Sequence, residues 1–113
     1  MEEQKVLKIY LSNTDKVEKT SVYETLAFKA QECKIAGLTV YRGIMGFGSS
    51  CDLRSDKFWT FTEKMPVIVE IIDSEENINN YLKEVLPIIE EIKKGCLITL
   101  EDVKIVLRKK GKK

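Results

Sequence analysis

The residues that could do chemistry crowd around one stretch, where Gly43, Gly46 and Gly48 follow closely on Arg42. Glycine lets a backbone take positive φ or come close to a ligand. Amides exposed by such a run, with a guanidinium beside them, make a cradle for an anion. The stretch is not the dinucleotide fingerprint, because no helix opens after it, and it lacks the Lys-Ser/Thr ending of a P-loop. Two readings stay open on the residues alone. One is an anion- or ligand-cradling loop. The other is a glycine-permitted bulge and turn at the end of a long hairpin.

Catalytic groups are scarce. The chain has no histidine, which removes the commonest general base and the commonest metal ligand. Cys33, Cys51 and Cys96 form no CxxC pair, and three cysteines do not make a disulfide framework. Cys33 falls on an apolar helical stripe and reads as a small core residue. Asp52 and Asp56 are too few to hold a hard cation. Glu70 lies within a strand, and Glu101 and Asp102 at a turn. We therefore expect no enzyme, no catalytic residue and no metal site.

Between Ser49 and Met65 lies a long polar and aromatic segment with Phe58, Trp59 and Phe61 close together. Long connections tend to be functional. The three aromatics suit either partner docking or an extension of the next strand over the sheet edge. Net charge is +1, so no strong field invites nucleic acid. The exception is the basic end 108–113, either a solvated tail or a contact for phosphates and acidic partners. No apolar run approaches the about 18 residues of a membrane span, and the start does not read as a signal peptide. The expectation is a cytoplasmic protein without membrane insertion, one domain over 1–113.

The elements that must hold these residues follow from periodicity. Val6 to Leu11 alternates as a strand, and Ser12 to Thr20 reads as a loop. Ser21 and Glu24 form a capping box that opens a helix to about Ala36, with Tyr23, Leu26, Ala27, Ala30 and Cys33 on one stripe. Gly37 stands where a helix C-terminal glycine belongs. Leu38 to about Met45 is the second strand. Pro66 opens the third, Val67 to Ile72, which is apolar on both faces apart from Glu70. Asp73 and Ser74 cap a second helix whose buried stripe runs from Ile78 to Ile92; Pro87 should kink it and Gly95 should end it. Leu97 to Leu100 and Val103 to Leu107 are strand-like, with a turn or bulge expected at Glu101–Asp102. The order β-α-β-β-α-β is the ferredoxin-like split arrangement, an α+β fold with four antiparallel strands and both helices on one face. Val6, Tyr10, Ile68, Ile72 and Val106 are candidates for the uncovered face, which an oligomer would bury.

Gly37-Leu-Thr-Val40, Gly46-Phe-Gly48, the long connection and Pro66-Val-Ile-Val-Glu-Ile-Ile72 resemble the PII signal-transduction proteins. Thr39 to Gly48 followed by Leu97-Ile-Thr-Leu-Glu-Asp-Val103 resembles a little-characterised PII-like branch more closely. The resemblance covers about Lys5 to Leu107. It implies a homotrimer with the sheets facing inward and an adenine nucleotide (AMP, ADP or ATP) in clefts between subunits. Carried over by position, Gly37, Leu38 and Thr39 would line the adenine pocket, and Gly46, Phe47 and Gly48 would stand near the phosphates. Loop 49–65 would be the T-loop, which engages transporters, enzymes or regulatory proteins.

The chain departs from the PII pattern after the second helix, where a phosphate-holding glycine loop is replaced by Lys93-Lys94-Gly95-Cys96. Arg42, Lys104 and Arg108 are the expected substitutes, with Gly43 beside them, and the reduced loop favours AMP or ADP. The T-loop tyrosine that some PII proteins modify has no counterpart between Ser49 and Met65. The alternative expectation is an interaction module without nucleotide, docking a partner such as a membrane transporter through Phe58, Trp59 and Phe61.

Overall fold

A computed structural model describes residues 2–14, 16–44, 46, 65–92 and 95–112. Phe47, Gly48, nearly all of segment 49–65, and Phe58, Trp59 and Phe61 with it, lie outside the described residues.

The chain runs β1 (Glu2–Ser12), β2 (Lys16–Val17), β3 (Thr20–Ser21), α1 (Val22–Glu32), β4 (Leu38–Arg42), β5 (Pro66–Asp73), α2 (Glu75–Glu91) and β6 (Leu97–Ile105). The main sheet has the order β4-β5-β1-β6, with every neighbouring pair antiparallel. This is the expected α+β ferredoxin-like arrangement. β2 and β3 add a small hairpin inside what the sequence presents as a loop, with Glu18 in the left-handed region at φ 58.

Period 2 sorts the sheet into two faces. Leu7, Ile9, Leu11, Val69 and Ile71 are buried against the helices. Val22, Leu26 and Ala30 of α1 and Ile78, Tyr81, Val85 and Ile89 of α2 complete that core. Each fully buried aliphatic among them stabilises the fold by roughly 1.5–3 kcal/mol relative to exposure. The two helices are joined by the Tyr81 hydroxyl, which donates to the Leu26 carbonyl at 2.9 Å. Burial pushes the Tyr81 phenol well above its ordinary pKa, so it stays a donor.

On the other face, Val6 lies opposite Ile72 and Tyr10 opposite Ile68, as the alternation predicts. Tyr41 flanks Ile68 from β4, and Leu97 flanks Tyr10 from β6. Ile68 is buried between its neighbours, whereas Tyr10, Tyr41 and Leu97 stay exposed at the surface. A charged row crosses the same face, where Lys8 reaches Glu70 at 3.9 Å and Glu101 at 3.8 Å.

Several boundaries differ from expectation, each for a local reason. α1 stops at Glu32, and Lys34, at φ 58, takes the left-handed position that Gly37 was expected to fill. No described glycine has positive φ. α2 stops at Glu91, short of Gly95, and passes through Pro87 as one element. β6 shows no bulge at Glu101–Asp102: the register runs on through Val6↔Glu101 and Lys5↔Asp102, and Lys5 forms an ion pair with Asp102. The phase slip is instead two acidic side chains standing on a regular strand. Val106 lies just beyond the strand and is exposed.

Candidate functional site

The site begins where α1 hands the chain to β4. Ser21 caps α1, its hydroxyl accepting from the Glu24 amide at 3.4 Å and donating to the Glu24 carboxylate at 2.7 Å. After Lys34, Ile35 donates back to the Ala30 carbonyl at 3.0 Å, and Ala36 and Gly37 lead into the strand. A Cβ placed on Gly37 would meet nothing within 4 Å. Gly37 therefore borders open space.

That space is a groove of about 740 Å³, within the range of small-molecule sites. Ala36, Gly37, Ile72, Ile105 and Leu107 give it a mainly apolar lining, and Arg108, Lys109 and Lys110 add three consecutive cations. Ile72 and Ile105 belong by register to the sheet face away from the helices. On that face the Arg108 guanidinium donates to Gln4 at 3.2 Å and sits 3.7 Å from the Glu2 carboxylate. An apolar lining beside clustered cations suits a ligand with a flat apolar body and an anionic end.

Asp73, which ends β5, is buried next to this groove. Its carboxylate accepts from the Ala36 amide at 2.9 Å, the Ser74 amide at 2.7 Å and Asn77 Nδ2 at 3.0 Å. Burial alone would push its pKa up. The hydrogen bonds from Ala36, Asn77 and Ser74, with Arg108 beyond them, outweigh burial and hold it below the ordinary value.

The expected site residues separate into three places. Gly37 and Arg108 meet in the groove, with Leu38 and Thr39 next along the chain. Arg42 and Gly43 lie at the far end of β4, roughly 13 Å from Leu38 at 3.3 Å per residue. There the Gly43 amide donates to the Pro66 carbonyl at 2.8 Å, and a Cβ on Gly43 would stand 2.7 Å from Pro66 Cγ. Close approach to Pro66 thus accounts for Gly43. Gly46 has only ordinary clearance from the same ring, at 3.5 Å. Lys104 lines a separate cleft with Glu3, Gln4, Lys5, Glu75, Asp102 and Val103.

Sequence reasoning missed Lys109, Lys110, Ile72, Ile105 and Leu107 as groove residues, and Asp73 as more than a helix cap. The basic end carried the signal, but only the fold shows that its first residues lie along a groove. Among the described residues no group of three or more His, Cys, Asp or Glu could hold a metal ion, and no helix is long and apolar enough to cross a membrane. Cys33 and Cys96 are half-buried against the core.

The family DUF190, described as "Uncharacterized ACR, COG1993", matches residues 4–105. A UPF0166 protein of Aquifex aeolicus (strain VF5) is 37% identical over 102 residues, covering 90% of this chain and 92% of that protein. A UPF0166 protein of Methanocaldococcus jannaschii is 39% identical over 98 residues, 87% of each. Among solved structures, CPII of Thiomonas intermedia K12 bound to ADP, AMP and acetate is similar with a TM-score of 0.63 at 17% identity, over 91% of this chain and 88% of that one. A Thermus thermophilus protein described as PII-like and signaling is similar with a TM-score of 0.63 at 18% identity, over 92% and 90%. On the family match across residues 4–105, the chain belongs to the DUF190 family, and its fold is the PII-like one.

Proposed function

We propose that this protein is a non-enzymatic regulator that binds an adenine nucleotide, AMP or ADP by preference, in clefts between the subunits of a homotrimer. The observation that carries the reading is the groove beside Gly37, where an apolar lining meets Arg108, Lys109 and Lys110. It offers stacking surface for a base and charge for phosphate. The likeness in fold to CPII, solved with ADP and AMP, supports the same reading.

The trimer buries the sheet face away from the helices, which carries exposed Tyr10, Tyr41 and Leu97. A groove on that face then becomes a cleft closed by a second subunit, and Arg42, Gly43 and Gly46 of one subunit can approach the groove of the next. Segment 49–65 is the output. Nucleotide biases its conformation, and it docks on a partner protein such as a transporter or regulator in the cytoplasm.

Calorimetric titration with AMP, ADP, ATP and cyclic AMP, together with light-scattering mass, tests the reading. The expected result is a mass three times that of the chain and saturable binding of about one nucleotide per subunit, weakened by Arg108→Ala. Absence of binding at millimolar nucleotide would sink it.

A further inference from the structure

Among the described residues Asp73 is the one charged side chain that is buried, at 5% exposure. Its two oxygens have different work. Oδ1 serves the start of α2, accepting from the Ser74 amide and from Asn77 Nδ2. That end is already capped by the Ser74 hydroxyl, which accepts from the Asn77 amide at 3.2 Å. Oδ2 serves a different part of the chain, the Ala36 amide. Ala36 is exposed, and its neighbour Gly37 has no side chain, so neither can anchor this turn by packing. Ile35 and Leu38 on either side pack against the core, and the hydrogen bond to Asp73 ties the Ala36–Gly37 step between them to the end of β5.

We propose that Asp73 is a positioning residue for the nucleotide groove: by holding the Ala36 amide it fixes the Ala36–Gly37 wall against which the ligand packs. This rests on the nucleotide-binding reading above. A carboxylate is needed because both oxygens must accept. An asparagine keeps the shape but has one acceptor oxygen. Facing Ser74 and Asn77 with that oxygen, it turns an NH2 toward the Ala36 N–H, and donor meets donor.

The test compares wild type, Asp73→Asn and Asn77→Ala by calorimetric titration with AMP and by hydrogen exchange at the Ala36 and Ser74 amides. Asn77→Ala removes a contact to Oδ1 and leaves Ala36 bound. In Asp73→Asn the AMP dissociation constant should rise about tenfold or more, the scale of a lost charge-assisted hydrogen bond. The Ala36 amide should exchange faster while Ser74 stays protected. Asn77→Ala should bind AMP as wild type does.

Unchanged AMP affinity in Asp73→Asn overturns the proposal and leaves the nucleotide reading standing. Equal weakening in both variants also overturns it, since the effect would then belong to the helix cap. If wild type binds no adenine nucleotide, both readings fall. Should Asp73→Asn not fold, wild type decides: saturating AMP must slow exchange at Ala36 and spare Ser74, and no slowing at Ala36 overturns the proposal.

Discussion

Gly37→Val separates ligand space from folding need. A Cβ at Gly37 meets nothing within 4 Å, and no described glycine has positive φ, so valine enters without a clash or backbone strain. Removing a glycine from a compatible position stabilises by about 0.4–1 kcal/mol through the unfolded chain. Valine's two methyls, exposed here, change this little, so the melting temperature should rise by about 2–7 °C. The same methyls stand in the groove. Overfilling a packed site costs about 1–3 kcal/mol, which is about 5- to 150-fold in the AMP dissociation constant. Gly43→Ala is the counterpart. Its Cβ would stand 2.7 Å from Pro66 Cγ, a ring atom that cannot swing aside. It should lose about 1–3 kcal/mol of stability and melt about 4–20 °C lower. Thermal melts and AMP titrations of the three proteins check both. If Gly37→Val melts like Gly43→Ala, or binds AMP like wild type, the assignment of Gly37 to ligand space is wrong.

Tyr81→Phe should cost about 0.5–1.5 kcal/mol in urea unfolding, the net worth of its hydrogen bond to the Leu26 carbonyl; no change would mean that the bond contributes nothing. Ser74→Ala should cost about 1 kcal/mol through its lost cap, read from the same denaturation curves. Because the folded pKa of Asp73 is lowered from 3.8, its contribution to stability is present above pH 3.8 and lost as pH falls below it. The stability gap between wild type and Asp73→Asn should therefore hold steady near neutral pH and narrow below pH 3.8, measured by denaturant unfolding at stepped pH.

The alternation of Leu7, Ile9 and Leu11, the capping box at Ser21 and the stripe from Ile78 to Ile89 made the layers legible, because each is a local pattern with one physical solution. The helix ends were less so. Lys34 took a left-handed position that propensity assigns to glycine, held there by Ile35 donating to Ala30. The acidic pair Glu101–Asp102 imitated a break because alternation breaks when a strand's edge is charged on both faces. The groove was half legible. Gly37 and Arg108 were singled out, but far apart in sequence, and only the sheet shows that the start of β4 and the end of β6 open on one space. Asp73 looked like an ordinary cap because its second oxygen reaches a residue that no local pattern connects to it.

Asn13 and Met65 exchange two hydrogen bonds, the Asn13 amide donating to the Met65 carbonyl at 3.0 Å and the Met65 amide to Asn13 Oδ1 at 2.9 Å. With the Gly43–Pro66 bond they clamp both ends of the chain between β4 and β5, whatever lies between. Doubling the length of such an insert adds only about 0.6 kcal/mol of closure entropy. The segment can accordingly diverge, lengthen or be exchanged for a foreign peptide while the sheet stays intact. The fold tolerates variation in a lineage, or a splice made at the bench, inside the clamp and penalises it at Gly43, where a Cβ would meet the Pro66 ring, and at Asn13, whose side chain holds the Met65 amide.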